Sequence, residues 1–290
     1  MPKATRPRKL IVSASRRQDL PACAPDRLLA QIGARSFEWK QPYSGKPATL
    51  AFEPEEIFCL ALWSKNFGPL FGRDPFELID PLHPYFIFTI NDCRALEPGL
   101  APSLEHRLAQ AKQIVERYGA PRLLWRFDPI VHWLDRAGRP QHNYAGFEPI
   151  ARRLGRLGIR RCVFSFAQLY GKVLQRQRKL GVRFIDPSLE RKKEILGALA
   201  TSAASLGIEM LSCCQSELAG CHANVRQGSC IDGPYLRTVI DADPTGLDLS
   251  AHPSRAGCGC TRSTDVGNYE RCVHQCAYCY ANPCLDGAAP

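Results

Sequence analysis

Ile57-Phe58-Cys59-Leu60-Ala61-Leu62-Trp63 is the longest apolar run in the chain. It is far short of the roughly 20 residues a membrane span needs, and it has the length of a strand buried on both faces. Working outward from it, residues 10–15 (LIVSAS), 85–90 (YFIFTI), 122–127 (RLLWRF), 162–166 (CVFSF) and 208–213 (IEMLSC) read the same way. Helical sequence lies between them. Residues 103–118 start at Ser103 as an N-cap and stop at Gly119-Ala120-Pro121, and residues 188–206 start at Ser188 and end before Gly207. Residues 25–32 and 144–157 are also helical. Near-continuous apolar strands alternating with helices give a parallel sheet covered by helices. Right-handed crossovers would curl the six units into an α/β fold of the open (β/α)6 type, a partial TIM barrel with its chemistry at the C-terminal ends of the strands. Residues 1–214 form this barrel-like part. From residue 215 to 290 helical periodicity fades and Gly, Cys, Asp and Ser accumulate, which predicts a cysteine-rich loop region packed on the barrel mouth and ordered by bound metal.

The cysteines support that division. Ten of 14 fall in the last 78 of 290 residues, and the first 212 hold only Cys23, Cys59, Cys93 and Cys162. Thiols serving as small core hydrophobes would be spread more evenly. With 45% hydrophobic and 23% charged residues the chain is neither disordered nor collagen-like. The basic start, residues 1–9, lacks the apolar stretch of an export signal. A cytoplasmic, non-membrane protein is therefore expected, and in a reducing compartment clustered cysteines point to metal ligation or catalysis, not to disulfides. The formal charge of +10 suits an anionic small molecule or nucleic acid, and equally a solvated arginine-rich surface. The densest basic stretch, residues 172–193, lacks the interleaved aromatics of a nucleic-acid groove.

Cys272, Cys276 and Cys279 have the spacing C-x3-C-x2-C. Three thiolates this close can ligate three irons of a 4Fe–4S cubane and leave the fourth open to a small molecule, whereas electron-transfer clusters normally take four cysteines. The spacing resembles the radical S-adenosylmethionine motif. Tyr278 holds the aromatic position before the third cysteine, and Tyr278, Tyr280 and Asn282 flank the cluster. The surrounding residues resemble the spore photoproduct lyase-like branch of that superfamily. A zinc site built from the same cysteines is the alternative, with Cys276 and Cys279 as one knuckle and Cys258 and Cys260 as the other. A second cluster is expected on Cys213, Cys230, Cys258 and Cys260; a structural zinc, or support of the first cluster by Cys258 and Cys260, are the other readings. Cys214, Cys221 and Cys284 read as spare thiols.

Polar residues gather where the strands should end: Arg16, Arg17 and Asp19, then Lys65 and Asn66, then Arg126 and Asp128, with Thr89, Asn91 and Ser165 beside them. In a parallel barrel they converge on one cationic mouth suited to carboxylate or phosphate. Taken singly, each reads as well as a salt bridge or cap. His274, inside the cysteine loop, reads as a hydrogen-bond donor and not as a ligand. The chain contains no G-x-G-x-x-G, P-loop or G-x-S-x-G.

Ser13–Pro21, Trp63–Asn66, Trp125–Pro129, Gly228–Asp232, Cys258-Gly-Cys260 and Asp265 through Asn282 together resemble the domain of unknown function 1848 family, over nearly the whole chain. That resemblance implies kinship and no reaction. The likeness to radical S-adenosylmethionine enzymes implies more: reductive cleavage of S-adenosylmethionine, a hydrogen atom taken from an anionic substrate, and a reductant such as a ferredoxin or flavodoxin. It assigns cofactor contacts to Tyr278, Tyr280 and Asn282, and substrate or cofactor contacts to Arg16, Arg17, Lys65, Arg126 and Asp128. In those enzymes the cysteine loop follows the first barrel strand. Here it comes last, so the barrel would be circularly permuted, and the usual Gly-Gly-Glu stretch has no counterpart. Two other classes are a nucleic-acid-binding protein with structural zinc and an iron–sulfur electron-transfer or redox-sensing protein.

Overall fold

The computed structural model describes residues 9–283. The apolar run lies in strand β2 (Ile57–Ser64), in which all eight residues are buried. With β1 (Leu10–Ala14), β3 (Pro84–Thr89), β4 (Leu123–Ile130), β5 (Arg161–Phe166), β6 (Glu209–Ser212), β7 (Val225–Gln227) and β8 (Thr264–Asp265) it forms one sheet. The spatial order is β7-β6-β5-β4-β3-β2-β1-β8. Every neighbouring pair is parallel. Strand order thus follows chain order, except that β8 returns beside β1 with Val12 opposite Thr264 and Ser13 opposite Asp265.

Alternation along each strand divides the core in two. Val12, Leu60, Leu62, Phe86, Trp125, Phe164 and Met210 lie on the helix-covered face. Helices α1 (Pro25–Gly33), α2 (Leu104–Tyr118), α3 (Phe147–Arg156) and α5 (Leu189–Ser205) contribute Leu28, Ile114, Ile150 and Leu199 there; α4 (Gly171–Leu180) packs through Val173 into a separate cluster with Trp133 and Phe184. Ser103 and Ser188 cap α2 and α5 as the sequence predicts, each accepting a backbone N–H from three residues on. Ile11, Cys59, Ala61, Ile87, Leu124, Val163 and Leu211 form the opposite face and pack with Ile231, Leu236 and Ile240, in and around α6 (Gly233–Val239). Helix α6 sits at the N-terminal ends of the strands. Arg161 at the start of β5 pairs with Asp232 at 2.6 Å, its guanidinium lies 3.9 Å over the Tyr235 ring, and Tyr235 donates to the Pro121 carbonyl at 3.2 Å. This end of the sheet is plugged, and the functional space lies at the other.

The sequence predicts six strands; eight are present. The two additional strands and α6 come from the region expected to be loop. Strand β8 is only Thr264 and Asp265, held by hydrogen bonds instead of apolar pattern, so periodicity could not reveal it. A hairpin (Ser36–Lys40 with Pro47–Ala51) and a small antiparallel sheet (His132–Leu134, Pro140–His142, Arg183–Ile185) were likewise not expected. Residues 241–263 do form a long loop, with one bridge between Ala251 and Thr261. Among the described residues no helix is long and apolar enough to cross a membrane.

Candidate functional site

A cavity of about 960 Å³ opens at the C-terminal ends of the strands. Its wall includes Ser15, Arg16, Arg17, Asp19, Trp63, Lys65, Thr89, Arg126, Asp128 and Ser165 from the strand ends, together with Cys272, Cys276, Tyr278, Cys279 and Tyr280. Cys213, Cys214, Cys230, Cys258 and Cys260 line it as well. Chain segments more than 250 residues apart therefore share one space. Two predicted residues, Asn66 and Asn91, do not line it; Asn91 is buried and accepts from Lys65 Nζ at 3.0 Å. The Asn66 side chain is occupied as a cap, accepting from Gly68 N at 3.0 Å and Gln110 Nε2 at 2.8 Å. Asn282 pairs its backbone with Arg271, and its side chain lies outside the described residues.

Two carboxylates, the buried Asp265 and the partly buried Asp19, hold the C-terminal segment to the strands. Asp265 accepts from Ser13 Oγ (2.8 Å), Ser15 Oγ (2.6 Å) and Arg16 N (2.8 Å), and Trp63 Nε1 donates to the same Ser13 hydroxyl at 3.0 Å. Gly267 is required beside it, because a Cβ there would lie 1.9 Å from Ser15 Oγ. Asp19, read from sequence as a candidate catalytic residue, accepts from Ser64 Oγ, Lys65 N, Ala22 N and His274 Nε2, all within 3.0 Å. Both of its oxygens are engaged by these four donors. Burial works against a charge on His274, but Asp19 more than offsets this and raises its pKa.

The cations are held in two groups. Arg16 and Arg126 flank Trp63, with guanidinium carbons 5.5 and 5.2 Å from its ring. Arg126 pairs with Asp128, which also accepts from Ser165 Oγ. The Nε atoms of both arginines are buried and make no hydrogen bond among the described residues. Arg17 is tied down by the Asp265 and Gly267 carbonyls. Lys65 Nζ reaches Glu97 at 2.8 Å and Asn91 Oδ1 at 3.0 Å and lies 5.7 Å over the Tyr278 ring, whose hydroxyl donates to Glu97. Burial lowers the affinity of Lys65 for its proton, but Glu97 more than compensates and the pKa is raised.

The loop carrying Cys272, Cys276 and Cys279 is docked backbone to backbone. Ala277 N donates to Leu96 O at 2.8 Å, Gln275 takes a left-handed φ of 54°, and Arg176 donates to the Ala277 and Cys279 carbonyls. Burial pushes the Cys276 and Cys279 thiols up, whereas Cys272 is pulled down, chiefly by a hydrogen bond from Cys23 at 3.8 Å. The other five cysteines form a closed ring of contacts. Cys213 Sγ lies 3.6 Å from Cys214 and 3.8 Å from Cys230. Cys230 neighbours Cys260, Cys260 neighbours Cys258, and Cys258 neighbours Cys214. The 13 described cysteines are all free thiols. Among the described residues no set of three or more Cys, His, Asp or Glu side chains is placed to hold a single metal ion.

Sequence reading missed Cys214, Cys23, Glu97, Asp265 and Arg255. Strand alternation would turn Cys214 away from Cys213, but a left-handed φ of 60° turns it back, a strain of about 1–3 kcal/mol of the kind found at functional sites. Glu97 and Arg255 are lone charges in loops. Asp265 carried a signal only in the compact run Asp265-Val-Gly-Asn-Tyr269.

These features define an α/β protein whose main sheet is all parallel, with a cysteine-lined, arginine-flanked cavity at the C-terminal ends of its strands. Residues 11–281 match the family described as Domain of unknown function (DUF1848), and the chain belongs to that family. Neither curated proteins nor solved structures give a significant match.

Proposed function

We propose that this chain is an iron–sulfur enzyme of the radical S-adenosylmethionine kind, acting on an anionic substrate. The observation that carries the reading is the position of β8. It lies beside β1 at the sheet edge, and the cysteine loop follows it directly. Counted from β8, the strands run β8, β1, β2 and onward to β7, so the cysteine loop follows the first strand of a singly wound order. That supports an open, circularly permuted barrel, since termini can be relocated without changing packing.

The residues present fit such a cofactor. Three free thiols on one wall of the cavity, Cys272, Cys276 and Cys279, would hold a cluster with one open iron. When bound, this cluster supplies the electron that splits S-adenosylmethionine, so that a hydrogen atom can be taken from a substrate. The protein supplies position and charge. The unpartnered, buried Nε donors of Arg16 and Arg126 are preorganised for a carboxylate or phosphate, and both guanidiniums lie against the Trp63 ring. Tyr280 lies 40% exposed on the cavity wall, its hydroxyl anchored on the Arg16 carbonyl, and presents a ring face for a nucleobase. Tyr278, bound to Glu97, positions Lys65.

The test is anaerobic reconstitution with iron and sulfide, reduction by dithionite, and measurement of 5′-deoxyadenosine after S-adenosylmethionine is added. Wild type should form it and Cys276→Ala should not. A cluster-loaded wild type that forms none, with an electron paramagnetic resonance spectrum unchanged by S-adenosylmethionine, would overturn the proposal and favour electron transfer. A colourless protein carrying zinc would overturn it in favour of a structural metal site.

A further inference from the structure

We infer that the ring of Cys213, Cys214, Cys230, Cys258 and Cys260 binds a second, all-thiolate iron–sulfur centre on the same cavity as the first. The inference does not depend on S-adenosylmethionine being cleaved at the other site. Five cysteines from three separate segments, the end of β6, the turn after β7 and the loop at 258–260, meet edge to edge, with three of them buried. Apolar packing alone gives no reason for five thiols to seek one another.

Positive charge surrounds them. Arg255 Nε donates to Cys214 Sγ at 3.1 Å. Arg126 faces Cys230 and Cys213, and Arg16 faces Cys260. Arg126 is already paired with Asp128, but Arg16 and Arg255 make no ion pair among the described residues; beside thiolates of a metal centre they are counter-ions. Ser254 Oγ and Ile231 N each point at a sulfur of the ring, at 3.5 Å, as hydrogen bonds that tune cluster sulfurs do.

The shape of the ring selects the class of metal. Zinc about 2.3 Å from four sulfurs brings every pair of them within about 3.8 Å. Cys213 meets that spacing with Cys214 and with Cys230, at 3.6 and 3.8 Å, but no three of the described side chains are placed to hold one ion together. Thiols that do not converge on a single point suit a polynuclear centre, whose several irons share the ligands. The three buried members, Cys213, Cys230 and Cys260, are ligands, and Cys258, beside Ser254, is the fourth. Cys214, bound by Arg255, is the fifth sulfur.

The experiment uses the full chain, reconstituted anaerobically, in three forms: wild type, a variant with Cys272, Cys276 and Cys279 changed to Ala, and Cys230→Ala/Cys260→Ala. Iron and acid-labile sulfide are counted per chain and the reduced protein is examined by electron paramagnetic resonance, with circular dichroism to confirm folding. Wild type should carry about eight irons and each variant about four, with different signals remaining in the two. A folded variant lacking the first trio that holds no iron or sulfide, or that holds zinc instead, overturns the inference. Should that variant fail to fold, the other two forms decide: a wild type with about four irons, all kept when Cys230 and Cys260 are removed, overturns it equally. Loss of the first cluster alone would refute the proposed reaction and leave this site standing.

Discussion

Replacing Gly99 by alanine tests how the cysteine loop is seated, without touching any thiol. The loop crosses Gly99 so closely that an added Cβ would lie 1.9 Å from the Val273 carbonyl oxygen, 2.9 Å from Gln275 Cγ and 3.1 Å from the His274 carbonyl carbon. Two of those three atoms belong to backbone, so the clash cannot be relieved by a side chain swinging aside. Either the loop or the segment at 96–100 must retreat by more than about 1 Å, since contacts below 3.0 Å are essentially never tolerated. The same retreat stretches the hydrogen bond from Ala277 N to Leu96 O, now 2.8 Å, beyond bonding distance. Overpacking costs about 1–3 kcal/mol and the lost bond about 0.5–1.5, so Gly99→Ala should destabilise the fold by about 2–4 kcal/mol. Urea unfolding measures that directly. Amide hydrogen exchange should show protection lost between residues 272 and 279 while β2 and β3 stay protected. A variant within 0.5 kcal/mol of wild type, with an equally protected loop, would refute the argument that this contact seats the cysteines.

The remaining predictions are more local. Lys65→Met leaves the Glu97 carboxylate, which is fully buried, without its counter-ion and should cost about 3–5 kcal/mol in urea unfolding; Lys65→Met/Glu97→Gln should recover much of the loss, and no recovery would show that the ion pair is not the stabilising element. His132, packed among His142, Tyr144 and Phe166, is pushed down to about 4, first by burial and then by the nearby positive charges of His142, Arg191 and Lys192. The unfolded chain therefore binds a proton that the folded chain does not, so this contribution is present in full above about pH 6.5 and is lost as the pH falls toward 4. After screening of a half-buried group it amounts to about 1–2 kcal/mol, and His132→Gln should flatten the stability profile between pH 6.5 and 5; an unchanged slope would refute it.

Much of the central sheet was legible because β1 to β6 announce themselves in apolar runs, and because a parallel sheet needs both faces covered. The pole of the site followed from the same argument: Arg16, Lys65, Arg126 and Asp128 do reach one cavity because parallel strands end together. What could not be read is whatever rests on a few hydrogen bonds. Strand β8 has two residues, and its hold on β1 is the Asp265 carboxylate accepting from two serines and a backbone amide. The partners of Asp19 were hidden for a related reason. A carboxylate at a strand end looks free in sequence, and only the fold shows four donors already converging on it. Cys214 was misread because strand alternation fails where φ turns positive.

The boundary at residue 214 drawn from composition leads to a last prediction, because the two sides of it share a core. The face of the sheet formed by Ile11, Cys59, Ile87, Leu124, Val163 and Leu211 packs with Ile231, Leu236 and Ile240, all from beyond the boundary. Cutting the chain there would return that face to water. At about 25 cal/mol per Å² of apolar surface, burying each of Ile231, Leu236 and Ile240 contributes about 1.5–3 kcal/mol, and their loss alone approaches the whole stability of an ordinary domain. The cut also strips Asp232 from Arg161 and removes Asp265 from Ser13 and Ser15, leaving buried polar groups unpaired at both ends of the sheet. Residues 1–214 expressed alone should therefore aggregate, or keep far-ultraviolet helix signal without fixed aromatic packing. A soluble fragment with a sharp thermal transition and native near-ultraviolet circular dichroism would show that residues 1–214 are a domain in their own right. It would also mean that the cysteine segments are an addition to the sheet. As the packing stands they are part of what closes it.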